Sequence, residues 1–167
     1  MNLRDAVADD LPAIHAINQA NVPAVGDITF AELEWYFAKA AALRVAEIDG
    51  LVAGFLLALQ PGLDYSSLNY AWFSARYTDF CYIDRVAVGE QWRRRGVARA
   101  LYADIEAYAR AMSAPLLACE VNLRPRNDVS LAFHERQGFI EVGQQDTDGG
   151  HKTVVMLLRD LRDDAPE

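Results

Sequence analysis

The sequence predicts a mixed α/β (α+β) fold built as one domain, and three observations predict it. Helical and strand-like apolar spacings alternate along the chain in the order β-α-α-β-β-β-α-β-α-β-β. An Asp-Gly pair at positions 49 and 50 stands between two β-compatible runs, the short-range mark of a hairpin. At 167 residues, 52% hydrophobic and 24% charged, the chain is long enough to bury a core and has a normal globular composition.

Residues 2–6 give the first strand. In ADDLPAIHAINQAN, Asp9 or Asp10 caps a helix with Leu11, Ile14 and Ile17 on one face, and Pro12 is tolerated in its first turn. Pro23 and Gly26 break that helix. TFAELEWYFAKAA gives a second one, with Thr29 as cap and Phe30, Leu33, Trp35, Tyr36 and Phe37 as its apolar set. LRVAEIDGLVAGFLLAL reads as two antiparallel strands. Residues 60–79 show no clear period; so long a connection is either functional, mobile or a packed surface loop.

From Phe80 the pattern sharpens. FCYIDRVAV is a strand, and VARALYADIEAYARAM a helix with Val97, Leu101, Ile105, Tyr108 and Met112 in one stripe and the pair Glu106 and Arg110 on the other face. PLLACEVN is a strand, and NDVSLAFHERQG a helix capped by Asn127 or Asp128 and stopped at Gly138. FIEVGQQ and KTVVMLL, separated by DTDGGH, close the chain as a hairpin. One domain is expected over residues 1–160, with an acidic tail over 161–167.

A net charge of −8 argues against a surface built to neutralise a phosphate backbone, so no nucleic-acid partner is expected. Cys81 and Cys119 lie in apolar runs without CxxC spacing and read as buried thiols in a reduced compartment. No His/Cys/Asp spacing suggests a metal, and no GxSxG elbow is present. The N-terminal residues carry charges where a signal peptide needs an apolar run, and no window approaches a membrane span. A cytoplasmic protein with no membrane partner is expected.

The stretch QWRRRGVARALY, residues 91–102, places three arginines before Gly96 and a helix start. A strand, a glycine turn and a helix N-terminus together expose backbone N–H groups at the positive end of a helix dipole, which is an anion site. Gly96 and Ala98 leave room for a phosphate to approach. The spacing is neither GxxxxGK[ST] nor GxGxxG.

Arg93-Arg94-Arg95-Gly96-Val97-Ala98 resembles the Gln/Arg-x-x-Gly-x-Gly/Ala hallmark of the GCN5-related N-acetyltransferase (GNAT) superfamily. NDVSLAFHERQGF is similar to its Asn-x-x-Ala/Ser segment ending in Phe-Tyr-x-x-x-Gly-Phe. The motifs cover roughly residues 80–140, and the element order covers the whole chain. The resemblance implies a GNAT-like mixed sheet and acetyl-CoA as acyl donor, with no metal. Arg93, Arg94, Arg95, Gly96, Val97, Ala98 and Arg99 would receive its pyrophosphate, mainly through backbone N–H groups. Val86, Ala87 and Val88 would run beside the pantetheine, with the Val86 N–H near the thioester oxygen, and Asn127 would bond the coenzyme or an ordered water; its other role is the helix cap.

Acetyl transfer to an amine needs a deprotonated nucleophile, a polarised carbonyl and a proton for the thiolate. Asp84, two residues before Val86 and so on the same strand face, matches the acidic residue of polyamine acetyltransferases in the superfamily; the alternative is a salt bridge with a nearby arginine. Tyr82 and Glu120 are second choices. His134 stands where many members have a tyrosine proposed to protonate the thiolate. With an ordinary pKa of about 6.5 an imidazole can donate if it points inward; otherwise it is an exposed helix residue.

Tyr65, Tyr70, Trp72 and Tyr77 fall where the superfamily builds its acceptor pocket, and aromatic faces attract cations. The resemblance thus implies an N-acetyltransferase acting on a small-molecule amine. A peptide or protein amine is the next choice, and a non-catalytic acyl-CoA sensor or interaction module the competing class. Exposed strand edges are consistent with a homodimer.

Overall fold

The structure, a computed structural model, describes residues 1–162. Seven strands form one mixed sheet in the order β1-β2-β3-β4-β5-β7-β6: β1 (Asn2–Asp5), β2 (Ala42–Ile48), β3 (Leu51–Leu59), β4 (Cys81–Val88), β5 (Leu116–Arg124), β6 (Ile140–Thr147) and β7 (Lys152–Asp160). The helices are α1 (Leu11–Ala20), α2 (Phe30–Lys39), α3 (Leu68–Ser74), α4 (Val97–Ala111) and α5 (Asp128–Arg136). By contact density the chain forms two compact units. Met1–Leu59 with Ile83–Tyr108 make the first; Gln60–Tyr82 with the chain from Ala109 onward make the second.

In the first unit, β1, β2 and β3 are antiparallel neighbours, with Leu3 opposite Ala46 and Val45 opposite Phe55. The turn between β2 and β3 has Asp49 at φ 52° and Gly50 at φ 76°. Two successive left-handed residues match the twist of the flanking strands, which is why Asp-Gly marks this hairpin so well. Ala53 and every residue from Phe55 to Leu59 are fully buried, as in a strand covered on both faces. Ile14, Leu33, Leu101 and Ile105 bring α1, α2 and α4 into this core at 0% exposure.

Thr29 caps α2 as its position predicts: its Oγ1 accepts the Glu32 N–H at 3.2 Å, while Glu32 reaches back to the Thr29 N–H at 2.6 Å. Asp10 does not cap α1. Arg4 holds its carboxylate at both oxygens, 2.7 and 3.0 Å, and the Val7 N–H takes Oδ2 as well. The expected helix faces need three corrections. Asn18 is buried on α1 while Ile17 is only half-buried; Phe30, Trp35 and Phe37 on α2 are exposed; and Met112 lies beyond the end of α4, with Tyr102 and Ala109 completing the stripe.

In the second unit, β7 lies antiparallel between β5 and β6, and the first residues of β4 run parallel to β5 through Cys81 opposite Leu117 and Tyr82 opposite Ala118. The expected loop over residues 60–79 contains α3, capped by Ser67, whose Oγ accepts the Tyr70 N–H at 3.3 Å. Tyr70 and Phe73 fix it to the core at 3% and 0% exposure. Seven residues give too few repeats for a helical period to stand out in sequence. The element order is therefore β-α-α-β-β-α-β-α-β-α-β-β.

Leu161 is buried and donates its N–H to the Pro115 carbonyl at 2.9 Å; residues 163–167 of the expected tail lie outside the described residues. Among the described residues no helix is long and apolar enough to cross a membrane.

Candidate active site

The stretch RRRGVA, where an anion site is expected, lies in the first unit. After a 3-10 turn at Glu90–Trp92 the chain reverses through Arg94 at φ 59° and Gly96 at φ 78° and enters α4. The first backbone hydrogen bond of α4 runs from the Ala100 N–H to the Gly96 carbonyl at 2.9 Å. The N–H groups of Val97, Ala98 and Arg99 therefore precede the intrahelical ladder, at the positive end of a 15-residue helix. A Cβ on Gly96 would meet nothing within 4 Å, so the space beside the turn is open, and an L side chain at that φ would be strained.

Arg93, Arg94, Arg95 and Arg99 are all exposed around this turn. Arg93 donates to Asn21 Oδ1 at 3.1 Å, and the Arg95 guanidinium lies 5.1 Å over the Trp92 ring. Trp92 is buried, and its Nε1 has no hydrogen-bond partner among the described residues. Asn21 also donates to the Val88 carbonyl at 3.2 Å, which occupies one of the backbone groups expected to face a pantetheine. Val86 and Val88 are half-buried and Ala87 buried, its carbonyl only 2.9 Å from where a Gly54 Cβ would lie.

Asp84 pairs with its neighbour Arg85 at 2.8 Å, with side-chain exposures of 4% and 8%. The carboxylate is thus engaged in an ion pair. Arg85 extends the cluster to Asn18 Oδ1 at 3.0 Å, the Gly26 carbonyl at 3.1 Å and the Tyr36 hydroxyl at 3.4 Å. The guanidinium thereby ties the segment between α1 and α2 to β4.

The second unit holds a different carboxylate. The Tyr82 hydroxyl donates to Glu120 at 2.8 Å, and Asn69 Nδ2 donates to Glu120 Oε1 at 3.2 Å. Gln145 Nε2 in turn donates to Asn69 Oδ1 at 2.9 Å. Sequence reading found Tyr82 and Glu120 separately but not their contact, and it missed Asn69 and Gln145; pairing through α3 leaves no trace in spacing.

His134 is buried, at 4% exposure, between Phe133 and Phe139, whose rings meet it edge to face. Its Nδ1 lies 2.7 Å from the Ser130 carbonyl, a contact that needs the proton on Nδ1. Burial pushes its pKa below the ordinary value of 6.5, opposed in part by the bond to Ser130. The neutral ring then presents Nε2 as an acceptor. Direct donation from Nε2 needs the imidazolium, which burial disfavours.

Asn127 caps α5, its side chain accepting the Ser130 N–H at 3.1 Å. Of the four aromatic residues assigned to acceptor binding, Tyr70 is the most enclosed: its hydroxyl donates to the Gln60 carbonyl at 2.6 Å and receives the Leu63 N–H at 3.0 Å. Tyr65 and Tyr77 are half-buried beside Tyr70 and Phe73, and Trp72 stacks under Arg76 at 3.9 Å. Among the described residues, no group of three His, Cys, Asp or Glu side chains is placed to hold a metal ion.

The model of the acetyltransferase (GNAT) family matches residues 11–139, well over half of the chain. The chain belongs to the GNAT acetyltransferase family. A ribosomal-protein-alanine N-acetyltransferase from Brucella melitensis matches its structure with a TM-score of 0.74 at 22% identity, over 96% of this chain and 99% of that one. An N-acetyltransferase from Staphylococcus aureus Mu50 gives 0.72 at 22%, over 96% and 98%. Arabidopsis thaliana NAA60, solved with a bisubstrate analogue, gives 0.74 at 18%, over 95% and 97%. At these identities the likeness establishes the fold. No curated protein matches the chain.

GNAT acetyltransferases are acyltransferases that draw on acetyl-CoA. The open turn at Gly96, with the first N–H groups of α4 and four exposed arginines around it, has the donors and the space that a pyrophosphate requires.

Proposed function

We propose that this GNAT enzyme acetylates the primary amine of a small molecule, taking the acetyl group from acetyl-CoA by direct attack within a ternary complex. Acetyl-CoA, when bound, supplies the acetyl group as a thioester. Val97, Ala98 and Arg99 hold its pyrophosphate through their N–H groups, supplemented by Arg93, Arg94 and Arg95, and the Val86 N–H serves the thioester oxygen.

The observation that carries the amine reading is the Glu120 carboxylate held by Tyr82 and Asn69. An amine arrives as an ammonium ion and must lose a proton before it can attack, and a half-buried carboxylate fixed by two neutral donors can take that proton directly or through one water. Asp84, neutralised by Arg85, organises the segment between α1 and α2 in this reading. His134 acts as a relay: Nε2 receives a proton before it can pass one on.

Two measurements test this. Calorimetric titration with acetyl-CoA should give micromolar binding to the wild type and none to Gly96→Glu, which puts bulk and negative charge into the turn. Retained binding in a folded variant would place the coenzyme elsewhere. Thiol release from acetyl-CoA is then followed with spermidine, L-phenylalanine and an alanine-initiated peptide. Turnover with the peptide alone would overturn the small-molecule assignment.

A further inference from the structure

Resting on the reading of Glu120 as the acceptor-handling carboxylate, we infer that Asn69 is its positioning residue, and that α3 docks on β6 in a register that fixes the direction in which Glu120 presents its oxygens.

The hydrogen-bond chain has only one possible polarity. A carboxylate accepts and does not donate, so Asn69 must turn its NH₂ toward Glu120 and its carbonyl toward β6, and Gln145 must offer its own NH₂ there. Each amide holds the next, and the carboxylate at the end is tied on one oxygen from α3 while Tyr82 donates to it from β4. Lacking Asn69, the group would keep the Tyr82 contact yet could turn about its last side-chain bond, which has a broad, weakly defined torsional preference.

Two faces of α3 divide the work. Tyr70 and Phe73, three residues apart, press their rings on Tyr82 at centroid distances of 5.5 and 5.8 Å. Asn69 and Trp72, also three apart, meet Gln145 and Gly143, two apart on β6. A helical step of three residues rises about 4.5 Å and a strand step of two about 6.6 Å; the mismatch of about 2 Å is within the reach of the long Trp72 and Gln145 side chains, so each contact forms. Trp72 fits only because position 143 has no side chain: a Cβ there would lie 2.6 Å from Trp72 Cζ2 and 3.1 Å from Cη2. The β6–β7 register shifts by one residue between Glu141 and Gly143, just where the tryptophan seats. Removing Trp72 from its seat should therefore shift Asn69.

The test uses full-length protein labelled with ¹³C at the glutamate side-chain carboxyls; the Glu120 signal is the one missing from Glu120→Gln. Among the groups described around Glu120, Tyr82 on β4 and Cys119 beside it on β5 can titrate, while Asn69, Gln145 and the β7 partner Met156 cannot. A phenol titrates near pH 10 and burial with the Glu120 charge holds the Cys119 thiol well above its ordinary 9.0, so between pH 3 and 7 the signal reports the carboxylate.

In Asn69→Leu, loss of a donor to the charged form should move the midpoint up by about half a unit or more. Gly143→Ala should shift it the same way, and adding Trp72→Phe, which removes the colliding atoms, should restore it. A Glu120 midpoint that is unchanged in Asn69→Leu overturns the inference. Should that variant fail to fold, an unchanged midpoint in Gly143→Ala does so. Thiol release by Glu120→Gln tests the underlying reading separately: retained turnover there removes Glu120 from the chemistry while leaving the Asn69 contact to be judged by the titration.

Discussion

The Tyr82 hydroxyl lies 2.8 Å from Glu120 Oε2 and 2.9 Å from Oε1, so a single phenolic proton serves both oxygens of the carboxylate. Tyr82 is fully buried, and Phe fits its space. Tyr82→Phe should therefore keep the fold, cost about 1.5–3 kcal/mol for a hydrogen bond to a charged group, and lower kcat with little change in the acetyl-CoA KM. Urea unfolding and steady-state kinetics check the two halves; an unaltered kcat would detach Tyr82 from the reaction.

The Asp84–Arg85 pair makes an unequal prediction for its two members. Arg85→Met leaves a buried carboxylate beside its lost cation and should cost about 3–5 kcal/mol. Asp84→Asn should cost less, since Arg85 keeps Asn18 and Gly26 as acceptors. Denaturant midpoints of the two variants, compared at one pH, decide the order.

His134 should make stability depend on pH in a defined window. Its pKa is lower in the folded protein than the ordinary 6.5, so the unfolded chain binds the extra proton first. Its contribution is fully present above pH 6.5 and is lost as pH falls through the folded value. In His134→Gln the slope of unfolding free energy between pH 5 and 7 should flatten. The same variant should lose about 10²-fold in turnover if His134 relays protons, the low end for general acid-base catalysis. A pH–rate profile that matches the wild type would exclude the relay.

Gly54 gives the backbone prediction. A methyl group there would sit 2.9 Å from the Ala87 carbonyl and 3.0 Å from Val97 Cγ1. Backbone yields less readily than a side-chain tip, so Gly54→Ala should cost about 1–3 kcal/mol and, under the proposed coenzyme site, also weaken acetyl-CoA binding through Ala87 and Val97. Calorimetry on the folded variant measures the second effect; an unchanged affinity would separate packing at Gly54 from the turn.

Much of the fold is legible in the sequence where local chemistry and tertiary demand agree. Thr29 and Glu32 form a capping box, Asp49-Gly50 forms the hairpin turn, and Val97, Leu101 and Ile105 are buried together. Illegible were the features that depend on distant partners. Asp10 has the chemistry of a cap but is held by Arg4, and Phe30, Trp35 and Phe37 have the hydrophobicity of a core but face outward. The site divides the same way. RRRGVA announces its turn because backbone geometry is written in adjacent residues, whereas Glu120 meets Asn69 across 51 positions and Asn69 meets Gln145 across 76.

The two compact units are interleaved in sequence, and this bears on how the protein is made. The first unit takes in residues up to Leu59 and resumes only at Ile83, while the second opens at Gln60 and resumes at Ala109. A ribosome releasing the chain from its N-terminus therefore cannot finish the first unit until residue 108 has emerged, and by then the opening stretch of the second, with α3, is already outside waiting for β5, β6 and β7. No single cut releases either unit intact. Nascent chains halted before β5 can already pack Tyr70 and Phe73 on Tyr82, but Trp72 has to wait for Gly143 on β6.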